Sequence, residues 1–515
     1  MDLIKILWVD DEIELLKPHL IFLENRGYQT TPCNNGIDAL ELIASNSFDI
    51  VLLDENMPGL SGLETLSEIK NIAAQLPVIM ITKNEEEHIM NEAIGTKISD
   101  YLIKPVNPNQ ILLSLKKTLN HKRIIAEKTT QNYQKEFGKI AMELMELRSH
   151  KEWMEFFQKL LYWELELESL NDSGMLEIFE SQMKEANREF AKFISKKYPD
   201  WIKGEDTPLF SHELFKSKVI PELSDQNPTL MVVIDNLRYD QWKTIAPELS
   251  NYYKIVQETP YFSILPTATQ YARNSLFSGL TPLQMERLHP DLWKNDLDDG
   301  GKNMNEEAFL KAQLERLKLP MSFSYHKISK LHQSQKLLKS LQNHCDETLT
   351  VVVYNFVDMI SHAKTEMELI KELASDDKAY RSLTKSWFKN TSLNQLIQKA
   401  AQLGFKLLLT TDHGTINVTS PSEVIGDKSS SINLRYKTGR SLTYDKKAVL
   451  SCPNPKDFQL PSLSINSSYI FAKEANYFVY KNNYNHFVNL FRNTFQHGGL
   501  SMQEMIIPFV VLRPR

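Results

Sequence analysis

Acidic and imidazole side chains follow three apolar runs in the second half of the chain. The run "TLMVVIDNLRYD" leads to Asp235, "TVVVYNFVDMISH" leads to Asp358 and His362, and "FKLLLTTDHG" leads to Asp412 and His413. Each run has the length and the β-branched content of a buried strand. Parallel strands present their carboxyl ends at one edge of a sheet, where ligands bind. We therefore expect these five side chains to converge.

Two further residues complete a candidate metal site. In "LPTATQYARNSLFSGLTP", Thr269 precedes a helical run over 271–277, so its hydroxyl is expected near a helix N-terminus, which attracts anions. Near the end of the chain, "FQHGGLSMQEMIIP" places His497 in a glycine-containing turn. The Asp and His side chains with one hydroxyl fit two zinc ions with open positions. Mixed imidazole and carboxylate ligation favours zinc over magnesium.

A lone Asp or His at the end of a strand is usually a cap or a surface polar group. The repetition of the pattern at three strand ends is what favours a metal site here. Thr267 lies two residues before Thr269 in the same "PTAT" turn and stays open as the alternative hydroxyl.

The first 120 residues contain a second set of polar side chains at strand ends. The run "IKILWVDDE" ends in Asp10 and Asp11, "FDIVLLDENMPGLSG" contains Asp54, "LPVIMITK" reaches Thr82, and "ISDYLIKP" reaches Lys104. Helical patterns lie between these runs, which is typical of a parallel α/β sheet. Three carboxylates at one edge suit Mg²⁺. One of them can accept a phosphoryl group whose charge the metal and Lys104 offset, and Thr82 can donate to the phosphoryl oxygens.

Glycine and proline nearly vanish between residues 121 and 203, and apolar residues recur at helical spacing there. This pattern predicts a small helical bundle between the two polar clusters. We expect a phosphate-accepting domain over 1–120, a helical linker domain over 121–205 and a metal-dependent domain over 206–515. The helices are long and show no basic recognition helix, which disfavours a regulator that binds duplex DNA directly.

The composition of the 515-residue chain is that of an ordinary globular protein, with 42% hydrophobic and 24% charged residues. The formal net charge of −6 does not support a broad nucleic-acid-binding face. The 3 cysteines show no paired spacing, which fits a reducing compartment. No apolar run is long enough for a signal peptide or a membrane span, so we expect a cytoplasmic protein without membrane insertion.

The N-terminal segment resembles the receiver domain of two-component response regulators. The resemblance rests on the acidic pair at Asp10, the "LLDENMPGLSG" around Asp54, Thr82 and the "KP" at Lys104. It implies Asp54 as the phosphoacceptor, Mg²⁺ in the acidic pocket and Tyr101 as the aromatic switch. It also implies a sensor histidine kinase as partner and a homodimer that forms on phosphorylation.

Residues from about 210 to 515 resemble the alkaline phosphatase superfamily, and in particular its PglZ branch. The matching motifs are "VVIDNLRYD", "LPTATQYARNSLFSG" and "HGGLSMQEMIIP". The resemblance implies Thr269 as a nucleophile that forms a covalent intermediate, and two zinc ions. It assigns to one ion Asp235, Thr269, Asp412 and His413, and to the other Asp358, His362 and His497. Gln270 and Tyr271 stand where diesterase relatives often have Pro-Asn, and Asn274 lies further along as a candidate substrate contact.

The segment 422–447 carries "NLRYKTGR" as an apparent insertion. Arg435, Lys437 and Arg440 are candidates for holding substrate phosphates, with Tyr436 available for stacking on a base. A solvated basic loop is an equally good interpretation of the same segment.

A receiver joined to a PglZ domain resembles regulators linked to type IX protein secretion. The resemblance implies phosphodiesterase activity on oligonucleotides and contacts with a secretion-motor protein and a sigma factor. It also implies an α/β protein, with a flavodoxin-like doubly wound parallel sheet, a central helical bundle and a C-terminal alkaline-phosphatase-like sheet domain. The alternative hypothesis is a docking protein that phosphorylation controls, with a structural or vestigial zinc site.

Overall fold

The computed structural model describes residues 3–83, 98–170, 173–204, 207–223, 227–355, 374, 376–426, 431, 433–462, 464 and 466–515, without the side chains of 120–127 and 173. The chain divides into two compact units, Met1–Lys135 and Glu136–Arg515. Within the described part of the chain, no helix combines the length and the apolar character needed to cross a membrane.

The first unit contains a five-stranded parallel sheet with the strand order β2-β1-β3-β4-β5. Its strands are β1 Ile4–Val9, β2 Tyr28–Cys33, β3 Ile50–Asp54, β4 Val78–Thr82 and β5 Asp100–Ile103. Its helices are α1 Lys17–Glu24, α2 Gly36–Ser45, α3 Gly62–Ile72 and the start of the long helix α4 Pro108–Glu146, with a 3₁₀ turn at Ile13–Leu16.

Alternate residues of the strands of this sheet pack into two separate cores. Leu7 and Leu53 face α2 and α3, whereas Trp8 and Leu52 face α1 and α4. Strands that are buried on both faces read as continuous apolar runs, which is why the sequence predicts them well. The doubly wound parallel sheet predicted for this segment is confirmed.

The second unit begins with three helices that pack through aromatic side chains. These are the end of α4, α5 His150–Leu170 and α6 Ser173–Trp201. Trp153 of α5 contacts Phe190 and Phe193 of α6 at ring-centroid distances of 5.2 and 5.7 Å. Phe190 also stacks on Phe262 at 6.2 Å, so these helices pack against the sheet that follows them in the chain. The helical middle predicted from the apolar spacing is confirmed.

A six-stranded sheet with the order β7-β19-β10-β6-β9-β8 forms the centre of the second unit. Strands β6, β8, β9 and β10 run parallel, and β19 is antiparallel to both of its neighbours. The strands are β6 Thr229–Ile234, β7 Tyr253–Phe262, β8 Phe323–Ile328, β9 Leu349–Tyr354, β10 Lys406–Thr410 and β19 Ile506–Pro514.

Further helices of the second unit precede, connect or follow its strands. They are α7 Ser211–Leu214, α8 Tyr239–Leu249, α9 Thr269–Ser278, α10 Pro282–Leu288, α11 Glu306–Arg316, α12 Leu331–Ser340, α13 Asp377–Asn390, α14 Ser392–Gln402, α15 Tyr484–Phe491 and α16 Met502–Met505. Short π- or 3₁₀-helical turns lie at Phe215–Val219, Ile220–Glu222, Leu341–His344 and Pro455–Phe458.

Three small sheets lie between β10 and β19 in the sequence. They are formed by β11 Ile416–Val418 with β18 Thr494–Gln496, by β12 Ser420–Ile425 with β14 Thr443–Tyr444 and β17 Asn476–Val479, and by β13 Tyr436–Arg440 with β15 Val449–Cys452 and β16 Ser467–Ala472. The basic segment read as an insertion at 422–447 therefore contains strands. The alternative of a solvated loop is wrong for its central part.

Candidate functional site

The acidic pocket of the first unit lies at the carboxyl ends of β1 and β3. Each of Asp10, Asp11 and Asp54 offers a ligand atom, and these atoms lie within 4.8 Å of one another. The ammonium nitrogen of Lys104 lies 2.9 Å from Asp10 Oδ2 and 2.9 Å from Asp54 Oδ1. Three carboxylates and one ammonium group leave a net charge of −2, which suits a divalent cation with oxygen ligands.

Burial and ion pairing shift the pKa values of the groups in this pocket in opposite directions. Burial raises the pKa of Asp54, and the hydrogen bond from Lys104 opposes that shift. For Lys104, burial lowers the pKa, but the hydrogen bonds to Asp10 and Asp54 outweigh burial and raise it. The lysine therefore stays charged beside the candidate phosphoacceptor.

Thr82 and Tyr101 lie on the two neighbouring strands of the pocket. The hydroxyl of Thr82 donates to the carboxylate of Glu55, and both residues are buried. Tyr101 lies on β5, where 38% of its surface is exposed. The sequence motifs do not single out Glu55, although it directly follows Asp54 at a strand end. The phosphoryl contact of Thr82 and the switch role of Tyr101 stay predictions.

The polar cluster of the second unit lies at the carboxyl ends of β6 and β10, which are adjacent parallel strands. Asp235 follows β6, and Asp412 and His413 follow β10. All three residues are buried, and each offers a ligand atom within 4.8 Å of the others. The rule that parallel strands share an edge therefore brings together residues that are about 180 positions apart in the sequence.

Thr269 is the first residue of helix α9, and its hydroxyl faces this cluster. Its Oγ1 lies 3.1 Å from Nε2 of His413 and 3.3 Å from Oδ1 of Asp235. The backbone N–H groups of the first helical turn point in the same direction as the positive end of the helix dipole. The free N–H groups and the helix dipole would therefore both attract an anion beside Thr269.

The two imidazole rings of the cluster are oriented by backbone carbonyls. Nδ1 of His413 lies 3.0 Å from the carbonyl oxygen of Gly414, and Nδ1 of His497 lies 3.3 Å from that of Thr267. An N–H at Nδ1 that donates to a carbonyl places the lone pair of the ring on Nε2, as a metal ligand requires. The two rings stack with centroids 4.4 Å apart, so His497 joins the cluster.

The other two predicted ligands, Asp358 and His362, lie outside the described residues. The strand that precedes them, β9, runs parallel to β6 in direct register with it. Its carboxyl end at Tyr354 therefore lies at the same edge of the sheet as Asp235.

A buried arginine that the motif search did not single out contacts two of these carboxylates. Arg273 lies on α9, one helical turn after Thr269, and is fully buried. Its Nη1 lies 2.7 Å from Asp235 Oδ2 and 3.6 Å from Asp412 Oδ2, without the angle of a hydrogen bond. The spacing of four residues from Thr269 was the available signal, because it places both side chains on one helix face.

Glu306 and Lys327 complete the charge balance around Arg273. Nε of Arg273 lies 2.5 Å from Glu306, and the ammonium group of Lys327 lies 2.9 Å from the same carboxylate. Together with Asp235 and Asp412, these described groups carry three negative and two positive charges. The net charge of −1 in a buried site favours a bound cation.

The hydroxyl of Thr267 forms hydrogen bonds with backbone groups of the glycine turn at 498–499. Its buried hydroxyl donates to the carbonyl of Gly499 at 2.8 Å and accepts from the N–H of Gly498 at 3.1 Å. These contacts tie the "PTAT" turn to the glycine turn that carries His497. Of the two threonines, Thr269 is the one whose hydroxyl contacts the candidate metal ligands.

The predicted substrate contacts differ in their surroundings. Asn274 donates to the carbonyl oxygens of Gln270 at 2.8 Å and Lys302 at 3.1 Å. Arg440 is exposed, and its Nε donates to the hydroxyl of Ser464 at 3.1 Å. Of these two side chains, only that of Arg440 is open to solvent.

Arg435 and Lys437 are buried, although sequence reasoning places them at a substrate surface. Arg435 forms an ion pair with Glu504 at 2.6 Å and donates to the carbonyl of Asn476. Lys437 donates to the carbonyl of Ser431 at 2.7 Å, and burial lowers the pKa of this lysine to about 8. Both side chains thus have protein partners in this structure.

Three family models match consecutive segments of the chain. The response regulator receiver domain matches residues 6–116, and the PorX response regulator linker domain matches 123–202. The BREX system PglZ alkaline phosphatase-like domain matches residues 214–512, which is more than half of the chain.

The chain belongs to the PglZ family. Its order of domains is that of a PorX-like response regulator, with a receiver, a linker and a PglZ domain. It is thus a two-component response regulator, and receiver domains of this kind act with sensor histidine kinases. The alkaline phosphatase-like PglZ domain places its C-terminal part in a superfamily of phosphatases and related hydrolases.

Curated relatives match a limited part of the chain. The transcriptional regulatory protein ZraR of Klebsiella oxytoca is 34% identical over 137 residues, 27% of this chain and 31% of that protein. The transcriptional regulatory protein CpxR homolog of Haemophilus influenzae is 37% identical over 117 residues, 22% of this chain and 50% of that protein. The chain thus spans about a third to a half of the length of these relatives.

Solved receiver structures are also similar to a part of the chain. The receiver domain protein of Clostridium thermocellum is 31% identical, and the match covers 24% of this chain and 98% of that protein, with a TM-score of 0.23. The chemotaxis protein CheY4 of Vibrio cholerae is 27% identical and covers 23% of this chain and 100% of its own length, with a TM-score of 0.22.

Proposed function

We propose that this response regulator is phosphorylated on Asp54 and that its output is the zinc-dependent hydrolysis of phosphate diesters. One observation supports the output most strongly. The hydroxyl of Thr269 begins a helix and lies 3.1 Å from His413 and 3.3 Å from Asp235. A hydroxyl between carboxylate and imidazole ligands at an anion-favouring helix end is the arrangement that a threonine nucleophile requires.

The donor set fits zinc. Asp235, Thr269, Asp412 and His413 would hold one ion, and Asp358, His362 and His497 would hold the other. The oriented imidazole rings, the buried carboxylates and the net negative charge of the described groups support this assignment. Zinc bound there would supply a Lewis acid that favours deprotonation of the threonine hydroxyl and offsets charge on the phosphate oxygens.

The side chains of the site then have separate roles. The Thr269 oxygen attacks phosphorus, an ester P–O bond breaks, and water later hydrolyses the phosphothreonine. Asp235 accepts the hydrogen bond of the hydroxyl before attack, and the first N–H groups of α9 bind a phosphate oxygen. Arg273 fixes the orientation of Asp235 through the 2.7 Å contact with its second oxygen.

We propose oligonucleotides as the substrate class, with Asn274, Arg435, Lys437 and Arg440 as the substrate contacts predicted from the sequence. Arg440 has the strongest support among these, because it is the exposed cation of the set. Arg435 and Lys437 would have to leave their present partners to reach a substrate. The biological role proposed from the domain order is control of type IX secretion, through a secretion-motor protein and a sigma factor.

In the receiver, we propose that Asp10, Asp11 and Asp54 hold Mg²⁺, and that Thr82, Lys104 and Tyr101 respond to phosphorylation. The phosphorylated receiver would form a homodimer. We propose a cytoplasmic chain divided into a receiver at 1–120, a linker at 121–205 and a PglZ domain at 206–515.

Turnover of bis(p-nitrophenyl) phosphate by the full chain tests the proposed output. The assay compares zinc-loaded protein, EDTA-treated protein, and zinc-loaded protein phosphorylated with acetyl phosphate. We expect turnover that requires zinc and changes on phosphorylation. Absence of turnover in all three samples would contradict the enzyme and favour the alternative, a docking protein that phosphorylation controls.

A further inference from the structure

A cavity of about 550 Å³ lies in the second unit at the C-terminal end of helix α9. Its wall is formed by the end of α6, by residues 207–217, by Gly279 to Thr281 after α9, and by the end of α11. None of the candidate metal ligands among the described residues lines it. Thr269 begins α9 and the cavity adjoins its end, so the two are separated by about 15 Å of helix.

The charges on the described part of the wall are mostly positive. Lys203, Lys216 and Arg316 are exposed there, and Glu213 is the one carboxylate among the lining residues. Lys203 lies 3.2 Å from Asp457, outside the wall. No carboxylate oxygen of a described residue lies within 4 Å of Arg316, which donates to the carbonyl oxygens of Ser278 at 2.5 Å and Gly279 at 3.4 Å. The cavity therefore offers accessible cations that an anion can approach.

Two polar residues of the wall, His212 and Gln313, also contain buried atoms without partners. Among the described residues, Nδ1 of His212 and Oε1 of Gln313 are buried and have no hydrogen-bond partner. Gln313 is only 1% exposed. Burial lowers the pKa of His212 to about 4, so its ring is neutral at pH 7.

Apolar side chains form another part of the wall. Trp201, Phe210, Leu280 and Leu317 line the cavity beside the polar groups. A volume of this size that combines apolar side chains with polar groups is typical of sites for small organic molecules. The combination with the exposed cations Lys216 and Arg316 points to an organic molecule that carries an anionic group.

We propose that this cavity binds a small organic anion, with its anionic oxygens at Lys216 and Arg316 and its uncharged body against the apolar wall, near His212 and Gln313. Phosphate and carboxylate groups offer the same anionic oxygens. Because Arg316 also holds the carbonyls that end α9, the bound anion would be coupled to the helix that begins with Thr269. The coupling of the anion to Thr269 rests on the proposed function, whereas binding of the anion to the cavity does not.

Calorimetric titration of the full chain, stripped of metal with EDTA and then dialysed into metal-free buffer without EDTA, tests the site, because no metal ion is left to attract the ligand elsewhere and EDTA, itself an organic anion, does not compete. The probes are AMP, citrate and pyrophosphate, with adenosine as the uncharged comparison. We expect one saturable site for AMP or citrate, with adenosine at least ~10-fold weaker than AMP because a charge-assisted contact is lost. No saturable binding of any anion below about 5 mM, or equal affinity for adenosine and AMP, would overturn the proposal.

Variants localise the binding. Arg316→Gln and Lys216→Gln should each weaken binding of the anion by about 10-fold. Ser217→Trp, at an exposed position of the wall, should block the cavity. Lys318→Gln is the matched control, because Lys318 lies two residues after Arg316 but outside the wall. Binding that Arg316→Gln and Ser217→Trp leave unchanged would place the anion elsewhere and overturn the site. If the zinc-loaded wild-type chain binds the anion but does not hydrolyse the diester, the proposed function is contradicted and this binding site is not.

Discussion

The hydroxyl oxygen of Thr269 lies 3.1 Å from Nε2 of His413, although 144 positions separate the two residues in the sequence. This contact joins the start of helix α9 to the carboxyl end of strand β10. It distinguishes Thr269 from Thr267, whose hydroxyl is bonded to the backbone of Gly498 and Gly499. The two threonines of one turn should therefore respond differently to the same substitution.

Thr267→Val is expected to lower stability, because it removes a buried hydroxyl that serves two backbone groups. Leaving Gly498 N–H and Gly499 C=O without this partner should cost about 1–3 kcal/mol in the free energy of unfolding. Thr269→Val should cost less, since its hydroxyl contacts side chains at a site that can hold a cation or water. Denaturant unfolding of both variants measures the difference. Equal loss of stability would contradict the distinct roles of the two hydroxyls.

Two zinc ions per chain are expected in metal analysis after dialysis. His413→Ala should reduce the zinc content by about one ion, and His497→Ala by about one, because each removes an imidazole ligand from a different ion. His486→Ala is the control, because His486 is exposed on α15 and outside the site. Full zinc content in both ligand variants would show that the ligand set is wrong.

Asp54→Asn should abolish incorporation of phosphate from acetyl phosphate. The carboxylate of Asp54 lies 2.9 Å from Lys104 and beside the carboxylates of Asp10 and Asp11, whereas an amide cannot act as the acceptor. Glu41→Gln, an exposed change on α2 of the same unit, should leave phosphorylation intact. Electrophoresis that retards phosphorylated protein gives the readout. Wild-type phosphorylation of Asp54→Asn would mean that another residue is the acceptor.

A buried ion network connects helix α5 to the segment that follows β6. Arg381 of α13 lies 2.9 Å from Glu164 and also contacts Asp240. Burial raises the pKa of Glu164 to about 7, against the attraction of Arg381. For Asp240, Arg238 and Arg381 outweigh burial and lower the pKa to about 2. Glu164 therefore keeps its proton in the folded state at a pH where the unfolded chain has lost it.

This retained proton predicts a pH-dependent stability. A carboxyl whose pKa is raised on folding stabilises most below its unfolded value, near 4.5, and the contribution is lost as the pH rises through about 7. Glu164→Gln, which stays neutral, should therefore gain on the order of 2 kcal/mol relative to wild type between pH 5 and pH 8.

Thermal unfolding at both pH values measures this effect, with Glu155→Gln, an exposed change on the same helix, as the control. Parallel pH dependence of the wild type and Glu164→Gln would exclude a raised pKa at this position.

Much of the fold follows from local patterns in the sequence. The strands that lead to Asp10, Asp54, Asp235 and Asp412 are mostly apolar, because they lie inside their sheets and are buried on both faces. Once the strands are recognised, the shared edge of a parallel sheet brings their terminal residues together. The order of the polar residues then predicts both clusters.

Charged residues with distant partners are harder to interpret. The sequence predicts that Arg435 and Lys437 are solvated or bind substrate. In the structure both are buried, because Arg435 pairs with Glu504 and Lys437 donates to the carbonyl of Ser431. The spacing from Thr269 places Arg273 on the same helix face, but its partner Glu306 lies 33 positions away and no local pattern connects these two residues. Pairing of this kind depends on tertiary contacts, which spacing does not encode.

The most direct test of the central claim is the rate of diester hydrolysis by zinc-loaded Thr269→Val and Thr269→Ser, measured with bis(p-nitrophenyl) phosphate. Valine keeps the shape of the side chain and removes the nucleophile, so we expect turnover to fall at least ~100-fold while zinc content is retained. Serine restores a hydroxyl at the same position and should retain turnover within ~10-fold of the wild type. Wild-type turnover by zinc-loaded Thr269→Val would contradict the assignment of Thr269 as the nucleophile.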